Sequence, residues 1–142
     1  HKFHEGSNIV TGPELWNMLF PIFAVLQPHT FLRVKANNIP GQNEIVTHGM
    51  HCDVSVPLSY TAIFYCNTNN GYTEFKDGDK VYSEANSMII FPSYIEHTGS
   101  TCTDTRCRVN ININFVADWN NQLLKPILPQ GAEAINNLWS HV

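Results

Sequence analysis

Apolar residues recur with two periods along the chain, and the change of period divides it into three parts. Between residues 14 and 26, Leu15, Met18, Leu19, Ile22 and Val25 fall at helical spacing. Thr11-Gly12-Pro13-Glu14 precedes them, with proline tolerated in a first turn and an acidic side chain near the positive end of the dipole. This predicts a helical flank over 12–27, kinked at Pro21, whose apolar face covers a sheet. From Phe31 the texture turns extended. Residues 31–35 alternate, Ile39-Pro40-Gly41 interrupts, and 44–54 resumes an extended pattern. Short strands follow at 60–66, 72–75 and 80–83, with a turn at 67–71 and an Asp-Gly hairpin turn at Lys76-Asp77-Gly78-Asp79. A buried strand is predicted at 87–91, a polar loop at 98–105, and the longest alternating strand at 106–116. After Ala117 the pattern is helical again, broken by Pro126 and Pro129, with a terminal helix over 132–141. No internal repeat or low-complexity segment is present.

With 142 residues, 43% of them hydrophobic, the chain can bury one core, which predicts a single domain over 1–142 with its β core at 31–116 and C-terminal helices over 117–142. Seven or eight short strands flanked by helices fit a mainly β fold, the double-stranded β-helix: a cupin-like jelly roll closed into a squashed barrel. In the last strand Arg108, Asn110, Asn112 and Asn114 share one face, while Val109, Ile111, Ile113 and Phe115 share the other. A polar row of this kind either lines a barrel interior or forms a solvated outer face.

Charge and cysteine content narrow the partners. A net charge of −4 with scattered basic residues offers no electrostatic footprint for nucleic acid. The longest apolar stretch, 18–26, contains Pro21 and is too short for a membrane span, and no signal peptide opens the chain. A soluble, cytoplasmic protein is expected. The chain starts at His1 without an initiating methionine, so a preceding N-terminal element is an expectation as well. Cys52, Cys66, Cys102 and Cys107 lack C-x-x-C spacing and read as free thiols, Cys52 packing on the reverse of its strand. The oligomeric state has no signature in the sequence.

The candidate chemistry centres on His51-Cys52-Asp53. In an extended segment His51 and Asp53 point the same way, so that an imidazole and a carboxylate form a two-pronged claw. A distant imidazole, His97, completes a two-His-one-carboxylate triad, the ligand set that leaves positions open on Fe(II) for a co-substrate and O₂. His48 has the opposite strand parity and is expected at the surface or behind the ligands.

Six ordered motifs then resemble one family. His51-Cys52-Asp53, Tyr65-Cys66-Asn67, Gly71-Tyr72-Thr73-Glu74-Phe75, Met88-Ile89-Ile90-Phe91, His97-Thr98-Gly99 and the alternating run from Arg108 to Ile113 follow each other as in the Fe(II)- and 2-oxoglutarate-dependent dioxygenases. The resemblance is to their prolyl 4-hydroxylase-like branch and its short homologues in marine phages. It implies the jelly-roll fold, iron held by His51, Asp53 and His97, and 2-oxoglutarate held at its far carboxylate by Arg108, with a hydroxyl hydrogen bond from Tyr65. Asn112 would line the site or hold a water near the co-substrate. The activity implied is hydroxylation of a C–H bond in a prolyl or other residue of a peptide or protein, with O₂ consumed, succinate and CO₂ released, and room for ascorbate as an accessory reductant. In a phage setting the compartment would be the host cytoplasm.

Some alternatives stay open. Arg106 shares the parity of Arg108, although the apolar alternation begins only after Arg108. A cupin-like metal-binding or isomerase barrel would use the same fold without 2-oxoglutarate, and a barrel with no catalysis would use it without the triad. The motifs do not encode the substrate, which could also be a small molecule. The predicted lids, 37–47 and 54–59, are short and suit an open cleft.

Overall fold

The computed structural model describes residues 13–118, and the C-terminal helices expected beyond Asp118 lie outside them. The order is one helix followed by seven strands: α1 (Pro13–Leu26), β1 (Thr30–Pro40), β2 (Ser59–Tyr65), β3 (Tyr72–Phe75), β4 (Lys80–Tyr82), β5 (Ser87–Pro92), β6 (His97–Gly99) and β7 (Cys107–Val116). A four-stranded sheet has the order β1-β7-β2-β5 and a three-stranded sheet the order β4-β3-β6, with all pairs antiparallel. The chain passes repeatedly between the two walls, giving a mainly β fold of the double-stranded β-helix, or jelly-roll, type.

Two apolar clusters hold the layers together. Leu19, Phe23 and Leu26 of α1 pack on Ala62, Ile90, Ile113 and Phe115, the outer face of the larger sheet. Between the sheets, Ile63, Tyr65, Ile89 and Phe91 meet Phe75 of the smaller sheet. Because α1 must cover Ile113 and Phe115, the other face of β7 is turned to the interior, and Arg108, Asn110 and Asn114 are buried there. The polar row therefore lines the barrel.

The helix buries a different stripe from the one its spacing predicts. Leu15, Met18 and Val25 are exposed, whereas Phe23 and Leu26 are buried with Leu19, since a helix apolar over most of its circumference leaves the choice of face to packing. Trp16, Phe23 and Phe31 form an aromatic triangle with centroids 4.5–5.6 Å apart. Pro21 lies inside α1 without ending it, and the helix closes where Gln27 takes a φ of 44° ahead of Pro28.

Three further differences from the sequence pattern bear on the site. Strand β1 runs unbroken to Pro40 instead of stopping before Ile39. It also carries a bulge: Phe31 pairs with Phe115, yet Arg33 pairs with Asn114, leaving Leu32 as the extra residue. The extended segment expected at 44–54 forms no continuous strand and touches the smaller sheet at two isolated bridges, Thr47 with Ser100 and His51 with His97.

Candidate metal centre

The second of those bridges builds the site. His51 and His97 exchange two backbone hydrogen bonds of 3.0 Å, so they stand directly opposite each other and their rings lie 4.8 Å apart on one face. Each ring is then fixed by its own chain. Nδ1 of His51 faces the carbonyl of Gly49 at 3.1 Å and Nδ1 of His97 faces that of Ile95 at 3.0 Å. A carbonyl can only accept, so in the neutral rings both Nδ1 atoms carry the proton and both Nε2 atoms present a lone pair. Phe91 packs edge-on against His97 at 4.7 Å.

Asp53 enters from the loop after His51. Its Oδ1 lies 3.6 Å from His51 Nε2 and 3.8 Å from His97 Nε2. These separations are too wide for hydrogen bonds and are close to the span of ligand atoms that each sit about 2.1 Å from one first-row metal ion. The three donor atoms lie within 4.8 Å of one another, and the set can hold a metal ion. The other carboxylate oxygen, Oδ2, is committed to the protein: Thr61 Oγ1 donates at 2.9 Å, Asn114 Nδ2 at 3.0 Å and Asn112 Nδ2 at 3.3 Å. One oxygen is thus tied down and its partner left free, the arrangement that orients a monodentate ligand.

The charge states agree with this role. Burial alone would raise the pKa of Asp53, but the Asn114 hydrogen bond, the His97 imidazole, Thr61 and Asn112 outweigh it and hold the carboxyl below its ordinary 3.8. Burial pushes His97 below 6.5, against the opposing pull of the Ile95 carbonyl and Asp53, which favours the neutral ring that a metal requires. The amide oxygens of Asn112 and Asn114 are buried without a hydrogen-bond partner among the described residues. Their orientation follows from chemistry: a carboxylate only accepts, so the amide nitrogens must face Asp53 and the oxygens are left over.

At the other end of the polar row, Arg108 is 1% exposed. Its Nε donates to Ser83 Oγ at 2.7 Å, one terminal nitrogen to the Ser100 carbonyl at 3.3 Å and the other to Thr73 Oγ1 at 3.2 Å. Three of the five N–H donors of a guanidinium are placed by these bonds, and the Tyr65 hydroxyl beside it is a further partner. No carboxylate among the described residues pairs with it. Burial lowers its pKa, but the guanidinium stays charged at any physiological pH. Tyr65 is fully buried beside it, its ring 5.6 Å from the guanidinium carbon. The Tyr65 hydroxyl donates to Thr73 Oγ1 at 2.9 Å, and burial raises its pKa to about 12, so its proton stays on. Thr73 accepts from both Tyr65 and Arg108, and its own hydroxyl proton is left to donate elsewhere.

The structure brings His51, Asp53, His97 and Asn112 together at one end of the interior and Arg108 with Tyr65 at the other. Arg106 is exposed, as are His48 and Cys52, whose thiol contacts the Tyr94 carbonyl. Four residues that touch the site went unread in the sequence as individuals: Thr61, Thr73, Ser83 and Asn114. Only Asn114 and Thr73 had a signal, the first in the parity row of β7 and the second inside the Gly-x-Thr-x-Phe run.

No family model matches the sequence, and no curated protein matches it. Among solved structures the chain is similar to a cupin protein from Bacteroides fragilis, with 15% identity over 61% of this chain and a TM-score of 0.42. It is also similar to the viral collagen prolyl hydroxylase of Paramecium Bursaria Chlorella virus-1, with 12% identity over 75% of this chain and a TM-score of 0.42. The chain spans 66% of the length of each of these neighbours. Among the described residues no helix is long and apolar enough to cross a membrane.

Proposed function

We propose that the protein is an Fe(II)- and 2-oxoglutarate-dependent dioxygenase that hydroxylates a C–H bond in a prolyl or other residue of a peptide or protein. The observation that carries this reading is Arg108. A buried cation without a counter-charge costs several kcal/mol, and a barrel that needed only a metal would have no use for one. A ligand carboxylate would repay that cost through charge-assisted hydrogen bonds from guanidinium N–H groups that Ser83, Ser100 and Thr73 do not hold, and from the Thr73 hydroxyl proton.

In this reading His51, Asp53 and His97 hold Fe(II), and Arg108 with Thr73 holds the far carboxylate of 2-oxoglutarate. When bound, Fe(II) with 2-oxoglutarate and O₂ supplies the oxidation of the C–H bond, the co-substrate leaving as succinate and CO₂. Tyr65 keeps Thr73 in place by donating to it, and Asn112 and Asn114 keep Asp53 ionised with Oδ1 free. Phe91 and Phe75 shield His97 from water and so keep its ring neutral. Arg106, exposed and on the rim of the strand, takes no part.

Anaerobic titration with Fe(II) and then 2-oxoglutarate tests the proposal. A weak visible charge-transfer band that needs both additions, and is lost in Arg108→Ala, is expected. Iron binding with no band at any co-substrate concentration would instead favour a cupin-like metal-binding barrel.

A further inference from the structure

Strand β1 borders the metal centre, and its bulge decides what it shows to that centre. Phe31 stands opposite Phe115 and packs outward with Trp16 and Phe23. In a regular strand Arg33 and Lys35 would share that outer face, because side chains two residues apart point the same way. The extra residue, Leu32, reverses the parity. Arg33 pairs with Asn114, Lys35 with Asn112 and Asn37 with Asn110, so all three share the inner face of β7. The side chains of Asn37 and Asn110 confirm that face by bonding to each other at 2.9 Å. Arg33 and Lys35 are thereby cross-strand neighbours of the two asparagines that hold Asp53, at Cβ separations of about 4.5–5.5 Å.

Both cations are exposed and neither has an ion pair among the described residues. Elsewhere in this acidic chain Lys76 is paired with Glu96 and Lys80 with Glu74. Bulges recur next to active sites because they re-aim a side chain, and this one aims two unmatched positive charges at the rim of the metal centre. Arg33 and Lys35 stand roughly 6.6–6.8 Å apart along the strand. That interval matches two carboxylates at alternate positions of an extended peptide, each carboxylate meeting one cation.

We infer that Arg33 and Lys35 select an extended acidic peptide, with carboxylate side chains two residues apart, laid along the inner rim of β1 beside the metal centre. The inference rests on the proposed oxygenase reading and supplies its substrate class. Exposed rim charges govern encounter and specificity more than they govern fold, so the two residues can be exchanged without loss of the core.

The test is calorimetry on the Fe(II)-loaded protein under anaerobic conditions, with an acetylated and amidated Gly-Glu-Pro-Glu-Gly peptide, its Gln and Lys counterparts, and inorganic phosphate. The Glu peptide is expected to bind at least about tenfold more tightly than the Gln peptide, and less tightly as salt is raised. Arg33→Gln/Lys35→Gln is expected to remove that preference while its circular dichroism stays unchanged, and Arg33→Glu/Lys35→Glu to transfer it to the Lys peptide. Equal binding of the Glu and Gln peptides would overturn the inference, as would phosphate displacing the Glu peptide at equal concentration. So would double variants that keep the preference and merely self-associate, for the two charges would then serve only to protect a sheet edge. The keto-acid band is read in the same samples: a band without peptide selectivity sinks this inference alone, and selectivity without a band sinks the oxygenase reading alone.

Discussion

His51 and His97 are joined by a pair of 3.0 Å backbone hydrogen bonds, although 46 positions separate them in the chain. Their rings owe their proximity to the bridge, and Asp53 is added from the following loop. Replacing either histidine by alanine leaves the backbone bonds in place and removes one ligand. His51→Ala and His97→Ala are therefore expected to fold and to lose metal affinity by at least about 100-fold, beyond the 10–100-fold typical of residues behind the ligands. Competition with a coloured chelator, using Co(II) or Fe(II), measures this, and wild-type affinity in either variant would contradict the assigned ligand set.

Asn114 provides the contrasting case. It touches no metal, yet it donates to Asp53 Oδ2 at 3.0 Å and to Thr61 Oγ1 at 2.9 Å. Asn114→Ala should weaken metal binding by about tenfold and make that weakening steeper toward acid pH, since Asp53 loses one of the hydrogen bonds that hold its carboxyl ionised. Affinity measured across pH separates this from simple loss of packing, which would lower affinity equally at every pH.

The fate of the β7 row explains how much could be read in advance. Alternation from Arg108 to Phe115 makes two faces plain, but not which of them is inside, because a row of asparagines is as common on a solvated surface. The deciding contact, α1 on Ile113 and Phe115, is a tertiary choice. The helix face failed for the same reason: apart from the side carrying Glu14 and Asn17, α1 is apolar around its circumference, so Leu15, Met18 and Val25 are indistinguishable in pattern from Phe23 and Leu26. The ligands were legible because their chemistry is rare, whereas Thr61 and Ser83 are ordinary hydroxyls until the fold brings them to Asp53 and Arg108. The bulge at Leu32 has no signature at all, and it reverses the strand parity of Arg33 and Lys35 relative to Phe31.

Gly71 tests the packing around Arg108. A Cβ at this position would stand 2.6 Å from Arg108 Cδ and 2.8 Å from the Thr101 carbonyl oxygen. The carbonyl belongs to the backbone and the arginine stem is fixed by three hydrogen bonds, so neither can yield cheaply. Gly71→Ala should cost about 1–3 kcal/mol of stability, as overpacking does, and weaken keto-acid binding with it. Thermal unfolding with and without 2-oxoglutarate reads both effects, and an unchanged Tm would show that the cradle is looser than these distances imply.

The metal-free protein should lose stability as the solution is acidified, and the order of the two titrations fixes where. His97 has a folded pKa below its ordinary 6.5 because it is buried, so between those two values the unfolded chain binds more protons than the folded one. Stability then rises with pH, which means its contribution is complete above about 6.5 and declines as pH falls from there toward the folded value. Asp53, whose folded pKa lies below 3.8, acts in the same direction but only at lower pH. Denaturant unfolding from pH 7.5 to 4 should therefore show a decline that begins in the histidine range. His97→Gln removes the upper titration and should flatten that part of the curve, and a variant that follows the wild-type curve would place the acid sensitivity elsewhere in the chain.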